Sequence, residues 1–240
     1  MQLQVVSKEQ FPLTAADLIE PYFTQDAQDG QRQICFAAGN TPTTTYAELV
    51  RRFQAGRLPV DLVVGFTLDE YTGLSRTHPR SCFQSLQRQL YQGLQWSSEQ
   101  TMTYDDTLEP EASAMAYEQL IAKSGGFDLA ILGIGMNGHV GFNEPGTPFD
   151  SRTHVATLTA MTTQRAHREG WMDVPSYGLT VGIGTLKDAK TVLLMANGSH
   201  KADIVLRIVR GEVSEEVPAT AFRDHPNSLL LLDEDAASQL

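Results

Sequence analysis

Phe127-Asp128-Leu129-Ala130-Ile131-Leu132-Gly133 runs straight into Ile134-Gly135-Met136-Asn137-Gly138-His139-Val140-Gly141-Phe142-Asn143-Glu144. The first seven residues are apolar except Asp128, which reads as a short strand covered on both faces. The run ends in a loop where Gly133, Gly135, Gly138 and Gly141 let the backbone turn sharply and approach a ligand. Runs of the same kind lie at 33–38 and 61–67 upstream, and at 179–183, 191–196 and 229–232 downstream. Helical patterns fill the stretches between them. One spans about 42–54, with Thr41 as N-cap and Pro42 at the first helical position; others span 79–91, 109–122 and 199–209, the last stopped by Gly211. Buried strands separated by helices predict βαβ units, hence an α/β fold with a mostly parallel sheet flanked by helices.

A chain of 240 residues suits one α/β domain over 1–240 and is long enough to bury a core without disulfide staples. No repeat, low-complexity tract or linker interrupts it. The net charge of −11 argues against broad contact with nucleic acid and requires that any anionic substrate be met by a few local cations. Cys35 and Cys82 have no metal-type spacing and read as free thiols of a reducing, cytoplasmic compartment. No signal-peptide pattern opens the sequence, and no apolar run approaches the ~20 residues of a membrane span.

Ligands of open α/β sheets bind beyond the carboxyl ends of the strands. Three polar segments follow strands directly. Gly39-Asn40-Thr41-Pro42 is a glycine turn feeding a hydroxyl-rich helix N-terminus, which suits a phosphate and equally suits a plain N-cap. A phosphate there calls for a cation as well; Lys201 is the first candidate and Arg168 the second. Asp69-Glu70 follows the second strand; adjacent carboxylates at a strand end cannot face the same way, so one enters the cleft while the other caps or pairs nearby. In the third segment, His139 stands between Asn137 and Glu144, a side chain whose proton moves near neutral pH beside an acid able to orient it. No second His or Cys sits at ligand spacing for a metal.

Together these segments resemble the glucosamine-6-phosphate deaminase family, also called glucosamine-6-phosphate isomerase. The resemblance runs from about Gly39 to Glu234. It includes Leu68-Asp-Glu-Tyr71, Leu132-Gly-Ile-Gly135, Gly141-Phe-Asn-Glu-Pro-Gly146, Ser151-Arg-Thr153, Leu179-Thr-Val-Gly182, Lys201-Ala202 and His225-Pro226. It implies a Rossmann-like fold related to ribose-5-phosphate isomerase and a cofactor-free conversion of an amino-sugar phosphate to a ketose phosphate and ammonia. By position, Asp69 matches the general base, His139 the ring-opening histidine and Glu144 its paired acid. Asn137 falls where many members carry Asp. Gly39, Asn40, Thr41, Arg168 and Lys201 match the phosphate-holding stretches. His154 and Ala156 stand where the allosteric members place basic residues, so the expectation is a monomer or small homo-oligomer without effector activation. Three alternatives stay open: the galactosamine epimer, a 6-phosphogluconolactonase, whose histidine motif has the character Gly-His-Thr-Ala-Ser, and a non-catalytic sugar-phosphate sensor.

Overall fold

The computed structural model describes residues 1–24, 30–168 and 170–240, without the side chains at 165, 166 and 168. Its strands are β1 (Gln2–Val6), β2 (Arg32–Phe36), β3 (Val63–Thr67), β4 (Asp69–Tyr71), β5 (Thr101–Met102), β6 (Leu129–Gly133), β7 (His154–Thr157), β8 (Tyr177–Thr180), β9 (Val192–Ala196) and β10 (Ser228–Asp233). Its helices are α1 (Phe11–Ile19), α2 (Pro21–Thr24), α3 (Thr43–Gln54), α4 (Cys82–Leu86), α5 (Pro110–Lys123), α6 (Ala160–Arg168), α7 (Ile183–Lys187) and α8 (Ala202–Arg210). Seven strands form one parallel sheet in the order β1-β10-β9-β6-β2-β3-β5, and a small antiparallel sheet runs β4-β8-β7.

The strand runs are apolar because successive side chains enter two different cores. Ile34 and Phe36 of β2, Leu129 and Ile131 of β6, and Leu193 and Met195 of β9 pack with Phe11, Ile19, Tyr46 and Leu49 of α1 and α3. Cys35, Ala130, Leu132, Val192 and Leu194 face the other way, onto Ala114, Tyr117 and Ile121 of α5 and Ile204, Val205 and Ile208 of α8. Each large apolar side chain so buried contributes about 1.5–3 kcal/mol. Cys35 is thus the small core residue its sequence context predicts.

The strand order reverses between β2 and β6. From β2 the chain moves to β3 on one side, and from β6 to β9 on the other. That arrangement opens a crevice at the carboxyl ends of β2 and β6, the place where such sheets bind ligands. Beyond β3 the chain leaves the main sheet through buried Leu68 and enters β4, where Asp69 lies opposite Thr180 of β8. Two tyrosine hydroxyls fix this departure: Tyr117 donates to the Thr67 carbonyl at 3.0 Å and Tyr104 to the Leu68 carbonyl at 2.9 Å.

Several sequence boundaries need correction. Pro42 is the N-cap of α3, which begins at Thr43, not a first helical residue capped by Thr41. The helix expected over 79–91 starts only at Cys82, where the Ser81 hydroxyl accepts from the Gln84 amide, and widens to a π-helix at Gln87–Tyr91. Over 199–209 the chain makes a 3-10 turn to Lys201 before α8, and Gly211 ends it in extended rather than left-handed backbone. The run at 179–183 is shifted to Tyr177–Thr180 and belongs to the antiparallel sheet, because it pairs β4 and not a strand of the main sheet.

Candidate active site

The three strand ends picked out by sequence meet at the crevice. After β2, Thr41 lies against the end of β6: a Cβ built on Gly133 would stand 3.9 Å from the Thr41 Cβ. The turn from Gly39 to Thr41 is braced as its carbonyls are used. Gly39 O accepts from the Thr43 hydroxyl at 2.9 Å and from Gln89 Nε2 at 3.3 Å. From beyond β9, the buried Lys201 reaches across and donates from Nζ to the Ile134 carbonyl at 2.6 Å. Thr41, the β6 end and Lys201 are therefore brought together, with Gly39 and Asn40 on the same turn as Thr41. Arg168 is the last residue of α6, and its side chain lies outside the described residues.

Asp69 and Glu70 part ways, as consecutive residues of a strand must. Glu70 turns to the start of α4. Its Oε1 accepts from the amides of Tyr71 at 2.8 Å and Cys82 at 2.9 Å, and its Oε2 from Phe83 at 3.1 Å. Burial pushes the Glu70 carboxyl up, and these amides only partly offset it. Asp69 is buried at the other face. Its charge adds to burial in raising the thiol of Cys35 and the hydroxyl of Tyr104.

The glycine loop after β6 carries the histidine. A Cβ on Gly135 would sit 2.3 Å from His139 Nε2, so only glycine leaves room for the imidazole. Gly141 has φ +58, and a Cβ there would meet Thr180 Oγ1 at 2.8 Å and Leu68 Cγ at 3.2 Å. The loop is thereby seated on the residue preceding Asp69 and the residue paired with it. The Thr180 hydroxyl accepts from the Phe142 amide at 3.1 Å, and Asn143 donates to the Val181 carbonyl at 2.9 Å.

Within this seat His139 Nδ1 lies 3.3 Å from Glu144 Oε2. Asn137 donates from Nδ2 to the same oxygen at 2.9 Å and accepts from the His139 amide at 3.2 Å. The other oxygen, Oε1, accepts from the Thr162 hydroxyl and, at 3.3 Å, from the Thr159 amide. Burial alone would raise this carboxyl. The adjacent His139 and its charge, with the hydrogen bonds of Thr162 and Asn137, outweigh it and hold Glu144 down to about 2. Such a carboxylate stays charged, and the ring turns Nδ1 toward it and Nε2 away from it. Thr159 and Thr162, which hold Glu144, and Tyr104 and Tyr117, which hold the carbonyls before Asp69, carry no signal in the sequence; only the fold gives them these partners.

Two cavities, of about 210 and 140 Å3, lie away from this cluster: one at the N-terminal edge of the main sheet beside Gln2, Tyr22 and Asn227, the other under β4 beside Tyr104, Asp105 and Ser113. Neither is lined by Asp69, His139, Glu144 or Lys201. The convergence of acid, histidine and lysine at the strand ends, rather than enclosed volume, marks the site.

Fold and cluster define an α/β protein with an acid–base set and a cation at the carboxyl ends of parallel strands. The chain belongs to the family of glucosamine-6-phosphate isomerases and 6-phosphogluconolactonases, whose model matches residues 7–231. It is similar to the glucosamine-6-phosphate deaminase of Hahella chejuensis, 42% identical over 206 residues that cover 85% of this chain and 79% of that one. The deaminase of Corynebacterium kroppenstedtii is 37% identical over 235 residues, 97% of this chain and 89% of its own. Among solved structures, a monomeric glucosamine-6-phosphate deaminase superposes with a TM-score of 0.94 at 33% identity, over 100% of both chains. The 6-phosphogluconolactonase of Thermotoga maritima shares the fold, with a TM-score of 0.77 at 18% identity over 97% of this chain and 99% of that one. Among the described residues, no helix is long and apolar enough to cross a membrane.

Proposed function

We propose that the chain converts glucosamine 6-phosphate and water to fructose 6-phosphate and ammonia. The observation that carries this reading is the His139–Glu144 pair, with Glu144 held ionised and the loop of the histidine seated on Leu68, the residue before Asp69. The identity to deaminases over most of the chain supports the same choice. The sugar must first open. His139 moves the proton from the C1 hydroxyl to the ring oxygen, with Glu144 and Asn137 fixing the imidazole. Asp69 then takes the C2 proton and returns it to C1 through an enolamine. The resulting ketimine at C2 adds water and releases ammonia, leaving the ketose. The phosphate is held by Gly39, Asn40 and Thr41 with Lys201 and Arg168. Its binding energy fixes C1 and C2 against the reacting groups.

The test is ammonia release by the purified protein with glucosamine 6-phosphate, galactosamine 6-phosphate and 6-phosphogluconolactone in parallel. Ammonia together with fructose 6-phosphate from the first substrate supports the reading. Ammonia only from the galactose epimer, or hydrolysis only of the lactone, replaces it, and binding without turnover by any of them leaves a sensor.

A further inference from the structure

Glu144 divides its two oxygens between two parts of the chain. Oε2 serves the glycine loop, taking Asn137 Nδ2 and facing His139 Nδ1. Oε1 serves the segment that opens α6, taking the Thr162 hydroxyl and the Thr159 amide. A carboxylate turns easily about its terminal bond, whose torsion is broad and two-fold. Contacts to one oxygen alone leave that rotation loose, and the imidazole then has no acceptor in a fixed place. The contacts to Oε1 supply the missing constraint. Of the two, the backbone amide of Thr159 sits at the longer distance, whereas Thr162 is buried and gives a hydroxyl directed at the charge. A hydrogen bond to an ionised partner is roughly twice as strong as a neutral one.

We propose that Thr162 is a positioning residue for the ring-opening step: by anchoring Oε1 of Glu144 it aims Oε2 at His139 Nδ1 and so fixes the ring and its tautomer. The inference rests on the assignment of His139 as the ring-opening group. It makes α6 a part of the proton-transfer machinery, because the acid behind the histidine is held correctly only while the start of that helix is docked.

Thr162→Val keeps the shape and removes the donor. It is expected to lower kcat about 10-fold, the cost of one hydrogen bond to a charged group expressed as a rate, with KM unchanged. Thr162→Ser, which restores the hydroxyl, recovers most of that loss. In a Glu144→Gln background, the Val substitution adds nothing further, since its path to the histidine is already cut. Wild-type kcat in Thr162→Val, a rise in KM alone, or the same loss in both backgrounds would overturn the proposal. A proton spectrum separates this result from the choice of reaction. The Nδ1–H resonance of His139, identified by its disappearance in His139→Gln, should be sharp in the wild type and exchange-broadened in Thr162→Val. An equally sharp resonance in both proteins overturns the proposal even if the wild type releases ammonia. If the wild type releases none, the functional reading fails and the spectrum alone decides whether Thr162 holds the ring.

Discussion

Asp69 and Glu70 are neighbours in the chain with opposite surroundings. Glu70 is saturated by three backbone amides and holds an element in place. Asp69 is buried on the other face of β4 and is our candidate base. Asp69→Asn keeps the volume and removes the base; turnover should fall by about 10²–10⁴ while KM stays close to the wild-type value. Near-normal ammonia release from that variant would remove the assignment. Glu144 gives a second prediction through pH. Its folded value of about 2 lies below the ordinary 4.5, so it stabilises the fold fully above pH 4.5 and loses that contribution progressively as the pH falls toward 2. Denaturant midpoints of wild type and Glu144→Gln should therefore differ by a constant amount near neutrality and converge in acid. A gap that stays the same down to pH 3 would contradict it. At this scale the sequence was informative where a residue type is chemically rare in its setting: a histidine among glycines, two acids at a strand end, a lysine close after a strand. It was silent on Thr162 and Tyr104, because a threonine in a helix and a tyrosine in a loop are ordinary until tertiary contacts give them a partner.

The elements were legible in proportion to their burial. β2, β3, β6 and β9 are apolar on both sides and stood out as runs, whereas β4, β5 and β7 are two to four residues long and carry no period of their own. α4 shows why a helical pattern opening at Pro79 overruns the helix: its start is set by a distant carboxylate and by Ser81, not by Pro79. That dependence can be tested. Glu70→Ala strands three backbone amides at the β4–α4 junction and should lower the unfolding free energy by about 3 kcal/mol, read from urea titration. Because β4 also carries Asp69, the same variant should lose activity beyond its loss of folded protein. Full stability would show that other groups cap α4.

At the scale of the whole molecule, the mostly parallel sheet and a site at its strand ends followed from strand and helix alternation, but the strand order that puts the crevice between β2 and β6, and the second sheet, did not. Its strands pair β4 with a segment more than 100 residues away, a choice that no local pattern encodes. Segment 151–153 also has an internal occupation that its sequence did not reveal. Glu118 accepts from the Thr153 amide at 3.1 Å and from Arg152 at 2.8 Å, while Arg152 reaches Asp188 at 2.7 Å. With His154 and Ala156 where the allosteric members place basic residues, the protein should give a hyperbolic rate curve that an N-acetylated sugar phosphate does not change, and sediment as a monomer or small oligomer of its 26.4 kDa chain. Sigmoidal kinetics relieved by that effector would refute this. Finally, β1 lies at the edge of the main sheet, and among the described residues its one strand partner there is β10, with Gln2 beside Leu229. On the ribosome β1 is thus synthesised roughly 10–45 s before the strand it must join. Through that interval Leu3 and Val5 have no finished sheet to lie against, and the nascent chain must rely on slow synthesis of its other strands, or on a chaperone, to keep that edge from pairing with the wrong neighbour.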